Sequence, residues 1–300
     1  MTTLPMGPTT ATGEWNNNHY AAQFPFSIGG KQYFYGQKQL QPHPWFIQEL
    51  LPGGKMGAET DHGTWGFYYA VQFPFTIGDR VFFFGQNLEE NNWFIQELLP
   101  GGKMGQETDR GNWANPYAVH FPFTIGDRVF SFGQNMIAKN WFIQELLAGG
   151  KVGPETDRGT WGNPYAVHFP FKIGDQVFSY GQNLNNRFWF IQELLPGGKL
   201  GRETANGTWN NAYAIQFSYS IGGNQYLYGQ NIVSKYWFIQ RLLGGGKMGP
   251  ELQGGFLSQA YRIQFPFAVG GKQYFYGNML PAGFPRDYKY NWFIRELFNV

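Results

Sequence analysis

The chain has 300 residues, 42 glycines, no cysteine and a formal net charge of +2, with 20% aromatic and only 14% charged residues. The aromatic content excludes a disordered chain, and the lack of cysteine excludes disulfide scaffolds, cysteine-ligated metals and thiol nucleophiles. The small net charge gives no reason to expect nucleic acid or an anionic membrane as a partner, and no apolar run approaches the roughly 18 residues of a spanning helix.

The N-terminal segment MTTLPMGPTTATGEW has neither a basic region nor an apolar one, so it does not have the pattern of a secretory signal. Together with the lack of cysteine, this predicts a cytoplasmic location, with release from the cell as a further option.

One unit of about 48 residues repeats six times along the chain. Residues 105–152 and 153–200 agree at 35 of 48 positions without a gap. The tripeptide Trp-Phe-Ile begins at Trp45, Trp93, Trp141, Trp189, Trp237 and Trp292. A second marker, a residue after a glycine-rich turn, falls at Trp15, Trp65, Trp113, Trp161, Trp209 and Phe256. The repetition predicts a single repeat domain over 1–300, with repeats at 13–56, 57–104, 105–152, 153–200, 201–248 and 249–300.

Within the repeat 105–152, apolar residues alternate with others from Tyr117 to Ile125, which is the period of a strand with one apolar face. Gly126-Asp127 then predicts a two-residue hairpin turn. A second strand is predicted over Val129–Phe132, a third over Trp141–Leu147, and a weaker fourth over Lys151–Thr156. Three or four short antiparallel strands in each unit are typical of a β-propeller blade, so the sequence predicts an all-β, six-bladed propeller.

Pro122 lacks an amide hydrogen, so the first strand of a unit is predicted to be an edge strand or to contain a bulge. The last repeat lacks the Gly-Gly-Lys-Met-Gly segment, whereas Leu4–Pro8 resembles Lys247–Pro250. Residues 1–12 are therefore expected to complete the last blade and close the ring. Two tandem β-trefoils are the alternative, but the uniform 48-residue spacing between the third and fourth repeats shows no domain boundary.

The repeated polar residues argue against catalysis, which usually needs one asymmetric group of residues. No sequence motif of a metalloprotease, a phosphate loop or a serine hydrolase occurs, and neither a metal nor a cofactor is expected. His120 and His168 share a repeat position with glutamines, which suggests a hydrogen-bonding surface site rather than a metal ligand. A glycosidase remains a third hypothesis, although the repeated acids give no reason to expect a catalytic pair.

Repetition instead favours multivalent binding of a sugar, which needs an aromatic ring to stack on and polar groups for its hydroxyls. The segment from Glu107 to Asn115 offers both, and its counterparts recur in other repeats. The predicted sugar-binding residues are Glu59, Asp61, Trp65, Glu107, Asp109, Arg110, Trp113, Asn115, Glu155, Asp157, Arg158, Trp161, Asn163, Glu203, Trp209 and Asn211.

A structural alternative stays open for these residues. A tryptophan that occurs once per blade can pack between blades, and Glu-Thr followed by Asp-x-Gly is also good turn chemistry. The sequence alone does not decide between the two interpretations.

The near-identical units, the tryptophan and glycine-rich turn in each, and the end-to-end closure resemble β-propeller lectins of the tachylectin-2 and fucose-lectin groups. The resemblance implies a non-enzymatic haemagglutinin with a sugar pocket per blade or between blades, and cell-surface glycans or glycoproteins as partners. A propeller scaffold for protein–protein interaction, without sugar binding, is the alternative function.

Overall fold

The computed structural model describes residues 6–15, 20–39, 41–279 and 291–298, and this part of the chain contains strands and turns but no helix. Its 24 strands form six four-stranded sheets. The first strand of the chain, β1 (Met6–Glu14), belongs to blade 6. Blades 1 to 3 consist of β2 (Tyr20–Ile28), β3 (Lys31–Lys38), β4 (Pro44–Leu51) and β5 (Lys55–Thr64); β6 (Val71–Ile77), β7 (Arg80–Gln86), β8 (Asn92–Leu99) and β9 (Lys103–Asn112); and β10 (Val119–Ile125), β11 (Arg128–Gln134), β12 (Asn140–Leu147) and β13 (Lys151–Thr160). Blades 4 to 6 consist of β14 (Val167–Ile173), β15 (Gln176–Gln182), β16 (Phe188–Leu195) and β17 (Lys199–Thr208); β18 (Ile215–Ile221), β19 (Asn224–Gln230), β20 (Tyr236–Leu243) and β21 (Lys247–Phe256); and β22 (Tyr261–Val269), β23 (Lys272–Met279) and β24 (Asn291–Leu297) with β1.

The six sheets are the blades of a six-bladed β-propeller, which confirms the predicted fold class and excludes the tandem trefoils. The chain divides into two compact units. Unit 1 comprises Met1–Tyr68, Tyr213–Arg241 and Gly249–Val300, and unit 2 comprises Tyr69–Ala212 and Leu242–Met248. The assignment of 1–300 to one repeat domain stays a prediction.

Blade 3 shows how the repeated sequence forms a sheet. The strand β10 lies at the edge of the order β10-β11-β12-β13. Pro122 pairs with Ser131 in an unbroken register, so the edge position alone accommodates the missing amide hydrogen. The predicted hairpin turn is also present, because Gly126 between β10 and β11 has a φ of 60°, in the left-handed region that favours glycine.

The second strand of each blade is buried on both faces. In blade 2, Phe82 and Phe83 have 0% exposure on opposite sides of β7. In unit 2, one hydrophobic cluster joins Phe82 and Phe84 with Val129 and Leu146 of the following blade. Burial of apolar area between successive sheets therefore stabilises the blades of this unit against each other.

A glycine that recurs near the end of the fourth strand leaves room for an aromatic ring and does not form a turn. Gly159 is the second-last residue of β13, and a Cβ there would approach the Trp141 ring to 2.6 Å. The prediction that Asp-Arg-Gly forms a turn is therefore wrong. The fourth strand continues through this tripeptide from Lys151 to Thr160, four residues beyond the predicted end at Thr156, because the glycine leaves room for the indole without leaving extended geometry.

The N-terminal strand completes the last blade, as predicted. β1 pairs antiparallel with β24, with Gly13 opposite Trp292. The described strand runs from Met6 to Glu14, whereas Leu4, Pro5 and His19 lie outside the described residues. The predicted repeats begin inside a fourth strand, so blades 1 to 5 take most of their fourth strand from the repeat that follows.

Candidate functional site

The predicted sugar-binding segments lie along the fourth strand of blades 1 to 4, where a bulge divides their residues between different environments. In blade 3, Ile143 pairs with Asp157 but Gln144 pairs with Glu155, so Thr156 is an extra residue. The same register shift occurs in blades 1, 2 and 4. A bulge of this kind reorients the side chains on its two sides.

The aspartates of these segments bind main-chain groups of the next blade. In unit 2, Asp109 Oδ2 accepts a hydrogen bond of 2.8 Å from the Val152 amide, and Asp157 Oδ2 accepts one of 2.8 Å from the Leu200 amide. The preceding threonine has the same role, because Thr108 Oγ1 donates to the Gly150 carbonyl at 2.8 Å. Asp109 and Asp157 are thus occupied by contacts between blades of unit 2.

The tryptophans of these segments pack into the cores of their units. Trp113 contacts Trp93, with ring centroids 5.6 Å apart, and stacks on Phe84 at 5.6 Å. Trp161 makes the equivalent contacts in blade 3. Trp65 and Trp209 donate hydrogen bonds from Nε1 to tyrosine hydroxyls at 2.8 and 2.9 Å. All four are half-buried, and these contacts favour the packing alternative; sugar binding by these residues stays a prediction.

The sixth member of the tryptophan series is not Phe256. The Leu257 amide donates to the Lys235 carbonyl at 3.1 Å, as the Trp209 amide donates to the Arg187 carbonyl at 3.1 Å. Leu257 therefore occupies the tryptophan position and packs against the core of unit 1. Phe256 lies one residue earlier, at the end of β21, and its side chain is 74% exposed. The prediction was wrong because this repeat has a phenylalanine at the position before the tryptophan position and a leucine at the tryptophan position itself.

The glutamates of these segments lie on exposed surface, each paired with the side chain three residues later. Glu107 Oε1 is 2.5 Å from Arg110 Nε, and Glu155 Oε1 is 2.9 Å from Arg158 Nε. Glu203 accepts a hydrogen bond from Asn206 in the same way. Of the predicted asparagines, Asn115 and Asn163 bond to the hydroxyls of Tyr117 and Tyr165, and Asn211 is exposed.

These glutamates face a tyrosine that precedes or begins the first strand and a phenylalanine of the third strand. In blade 2, Tyr69 contacts Phe94 edge-on, with centroids 4.5 Å apart. Burial, with the Glu107 carboxylate as the second cause, raises the pKa of Tyr69. We call this group of tyrosine, phenylalanine, glutamate and the residue three positions after the glutamate the tyrosine cluster of a blade.

The tyrosine cluster of blade 1 differs from its counterparts because it holds a histidine, and it lines a cavity. His62 stands where Arg110 and Arg158 stand, and its Nδ1 is 3.0 Å from Glu59 Oε1. The cavity has a volume of about 260 Å³ and is lined by both residues together with Tyr20, Phe46 and Lys38, among others. Tyr20 and Phe46 meet edge-on at 4.6 Å and form its apolar wall.

Lys38 supplies a cation to this cavity. Its Nζ lies 6.0 Å from the centroid of the Tyr20 ring. Burial lowers the pKa of Lys38, because the low-dielectric surroundings disfavour the ammonium form. A carboxylate–histidine pair, a lysine and an aromatic wall thus line one cavity. The comparison of repeats in the sequence did not reveal this group, because its members come from different strands or repeats. They include Tyr20, Lys38 and His62.

A larger cavity of about 420 Å³ lies at the corresponding place in blade 6. Its lining includes Thr12, Glu14, Ser258 and Tyr261. Thr12 occupies the position of His62, so this cavity has a carboxylate but no histidine at that position. It offers polar contacts but no imidazole beside a carboxylate, and we therefore regard the blade 1 cavity as the candidate active site.

The ring nitrogens of the histidines at the glutamine position are buried, so the predicted hydrogen-bonding surface site at His120 and His168 is wrong. His120 lies 4.8 Å from Phe84 and 5.4 Å from Trp113 between ring centroids. Among the described residues, neither ring nitrogen of either histidine has a hydrogen-bond partner. Burial lowers the pKa of each to about 3. These histidines are neutral packing residues within unit 2.

Two further features concern the described part of the chain. It contains no group of three or more histidine, cysteine, aspartate or glutamate side chains placed to hold a metal ion. It also contains no helix of the length and apolar character needed to cross a membrane.

The fold is similar to those of solved propeller structures, although no protein-family model and no curated protein matches the sequence. A candidate 6-phosphogluconolactonase from Bacteroides fragilis superposes with a TM-score of 0.57 at 9% identity, over 86% of this chain and 79% of that one. A candidate 6-phosphogluconolactonase from Bacteroides uniformis gives a TM-score of 0.59 at 12% identity, over 85% and 76%. The periplasmic gluconolactonase of Pseudomonas aeruginosa gives 0.53 at 10% identity, over 75% and 67%. At such identities, the likeness establishes the fold.

These similarities contradict the predicted function. The similar propellers are named for lactone hydrolysis and not as lectins. The predictions of a sugar-binding lectin, of an interaction scaffold as its alternative and of a chain without enzymatic activity are therefore wrong. They rested on the repetition of polar residues from blade to blade.

Proposed function

We propose that the chain is a hydrolase that opens the lactone ring of a sugar acid in the cavity of blade 1. The observation that carries the proposal is the contact of 3.0 Å between Glu59 Oε1 and His62 Nδ1 in a cavity lined by Lys38. The names of the structurally similar propellers support the choice of a lactone as substrate. The cytoplasmic location stays a prediction, and one of these similar proteins is named as periplasmic.

The pair has the arrangement of a general base and its orienting carboxylate. A hydrogen bond from Nδ1 to Glu59 leaves Nε2 of the neutral imidazole as the proton acceptor. His62 Nε2 takes a proton from water as the water oxygen bonds to the lactone carbonyl carbon. When the ring C–O bond then breaks, the leaving oxygen takes that proton back from the imidazolium, and the product is the open hydroxy acid. General-base catalysis of this kind contributes roughly 10²- to 10⁴-fold in rate.

Lys38 has the charge to stabilise the anionic oxygen that develops on the carbonyl, or to bind a phosphate group on the substrate. Tyr20 and Phe46 provide an apolar surface for the sugar ring. Glu59 holds the imidazole and stabilises its protonated form.

Hydrolysis of D-glucono-δ-lactone, followed by proton release above the spontaneous rate, tests the proposal. We expect the intact chain to accelerate the reaction and the His62→Arg variant to lose at least 100-fold of kcat/KM. His62→Arg is a favourable variant because arginine occupies the same position beside Glu107 and Glu155. Arg110→Ala, which changes the matching position of blade 2, should retain full activity.

Failure of the intact chain to exceed the spontaneous rate, or equal activity of His62→Arg and the intact chain, would overturn the proposal. A thermal melt of each variant separates loss of the base from loss of the fold. Lys38→Met adds a test of the substrate's charge: it should raise KM for 6-phosphogluconolactone more than for gluconolactone if Lys38 binds the phosphate.

A further inference from the structure

The tyrosine cluster of blade 5 lacks the cation or amide that partners the glutamate in the other blades with this motif. Glu59, Glu107, Glu155 and Glu203 contact His62, Arg110, Arg158 and Asn206, respectively. At the same spacing after Glu251 stands Gly254, which has no side chain. In four blades the residue three positions after the glutamate has a positive or polar side chain, whereas in blade 5 this residue has no side chain.

Aromatic rings replace the missing group. Tyr236 donates a hydrogen bond of 2.7 Å from its hydroxyl to Glu251 Oε1, and a Cβ on Gly254 would collide with that hydroxyl. Phe256 lies against Tyr236 with centroids 5.3 Å apart and planes at 68°. The absence of a side chain at residue 254 is thus what allows the tyrosine to reach the carboxylate.

The exposure of Phe256 has no structural explanation within unit 1. Its ring is 74% exposed, whereas Thr64, Asn112, Thr160 and Thr208 are the residues at this position in the first four blades. The core position nearby is already filled by Leu257. An exposed phenylalanine in place of a small polar residue adds apolar surface without adding to the core.

We propose that Glu251, Tyr236 and Phe256 form a binding site for an alkylated ammonium group. Two rings at a steep angle beside a carboxylate attract an organic cation through their π faces and through the carboxylate charge. An alkylated ammonium fits better than a primary one, because the rings cover methyl groups well but offer no acceptors for N–H donors. The site is independent of the blade 1 cavity, so it goes beyond the proposed lactone hydrolysis.

The lysine that is nearest in sequence does not occupy this place. Lys235 is the neighbour of Tyr236 in sequence, but its Nζ donates to the Ser258 carbonyl at 3.2 Å. Hydrogen bonding to Glu251, followed by burial, raises the pKa of Tyr236 to about 12. The tyrosine therefore stays neutral at physiological pH and keeps its ring fixed beside the carboxylate.

Titration of the intact chain with choline, followed by saturation-transfer NMR of the choline methyl groups, tests the site. We expect saturable binding, and at least about threefold weaker binding for both Phe256→Thr and Glu251→Gln. Phe256→Thr restores the residue of blades 3 and 4, so folding should be retained. Glu155→Gln in blade 3 is the matched control and should bind choline as the intact chain does.

The neutral isostere 3,3-dimethyl-1-butanol separates charge recognition from apolar contact, and it should bind at least threefold more weakly than choline. The proposal is overturned if choline does not bind the intact chain, if the neutral alcohol binds equally well, or if Glu155→Gln weakens binding as much as Glu251→Gln. The titration does not depend on lactone hydrolysis, so the two proposals can fail separately.

Discussion

Asp109 on β9 holds the main chain of the following blade: its Oδ2 accepts a hydrogen bond of 2.8 Å from the amide of Val152 on β13, 43 residues away. Lys151 Nζ lies 3.9 Å from the other carboxylate oxygen. Asp157 and the Leu200 amide repeat the contact at the next interface of unit 2. The aspartates therefore join successive blades, although the sequence places them beside a candidate sugar platform.

We expect Asp109→Ala to lower the free energy of unfolding by about 1–3 kcal/mol, because it leaves a partly buried amide without its charged acceptor. Arg110→Ala is the control: it removes an exposed ion pair with Glu107, for which about 0–1 kcal/mol is expected. Denaturant unfolding measures both, and hydrogen exchange at Val152 should accelerate only in Asp109→Ala. Equal effects of the two substitutions would contradict the interblade role.

The double glycine after the third strand allows a comparison of backbone strain with steric collision. Gly149 and Gly150 have φ values of 79° and 68°. A Cβ at Gly149 meets nothing within 4 Å, whereas one at Gly150 would lie 2.5 Å from Phe82 and 2.6 Å from Thr108 Oγ1. We expect Gly149→Ala to lose about 1 kcal/mol of stability from strain alone, and Gly150→Ala to lose at least about 2 kcal/mol. Thermal unfolding checks the order, and similar losses would contradict the close contact.

His120 and His168 should make the stability of the protein depend on pH. Each has its pKa lowered to about 3 in the folded chain, whereas an unfolded histidine titrates near 6.5. Below pH 6.5 the unfolded state therefore binds protons that the folded state does not, and stability falls as pH falls toward 3. The slope approaches about 1.4 kcal/mol per pH unit for each histidine.

A double replacement at each interface provides the control for this pH dependence. His120→Gln with Phe84→Tyr, and His168→Gln with Phe132→Tyr, recreate the glutamine–tyrosine pairs of unit 1. The free energy of unfolding of the variant with both double replacements should change less between pH 7 and pH 4 than that of the intact chain. The comparison with the intact chain is needed because Glu97 and Glu145, whose pKa values are lowered by Arg80 and Arg128, also lose stabilising charge in acid. Parallel curves for the two proteins would contradict the burial of neutral histidine.

Trp113 provides a direct test of packing against ligand contact. It lies among Trp93, Phe84 and Phe142, with centroid distances of 5.2–5.6 Å. We expect Trp113→Ala to lower the free energy of unfolding by about 3 kcal/mol, as measured by urea denaturation. Unchanged stability would show instead that the ring does not belong to the core and would favour its predicted role as a platform.

The fold was predictable because its signals are local and repeated. Alternation from Tyr117 to Ile125, the Gly126-Asp127 turn and six spaced Trp-Phe-Ile tripeptides each indicate strands and blades without knowledge of distant contacts. Closure by β1 followed from a segment missing at one end and present at the other. The extent of the fourth strand was not predictable, because Gly159 looks like a turn residue until the Trp141 ring is placed over it.

The candidate site was harder to predict, because a bulge is not visible in the sequence. The extra residue Thr156 separates Glu155 from Asp157, so residues two apart in sequence serve different surfaces. Glu59 was a predicted site residue, but His62 was not, and the cavity beside them is also lined by Tyr20 and Lys38 from other strands. Sequence repetition singled out the segment that contains Glu59 but not the residues of other strands that line the cavity with it.

At one position of the interfaces between blades, unit 1 has one kind of side-chain pair and unit 2 has another. In unit 1, Tyr276 faces Gln23 and Tyr228 faces Gln264, whereas in unit 2 Phe84 faces His120 and Phe132 faces His168. Exchanging one residue between the two kinds of pair would change the contact. A glutamine that faced phenylalanine would lose its hydroxyl neighbour, and a tyrosine that faced either histidine would place a hydroxyl in an apolar contact. Near-identical repeats are prone to assemble with the wrong neighbour during folding. The two kinds of pair therefore distinguish the described interfaces of unit 1 from those of unit 2, and they do not distinguish interfaces within a unit.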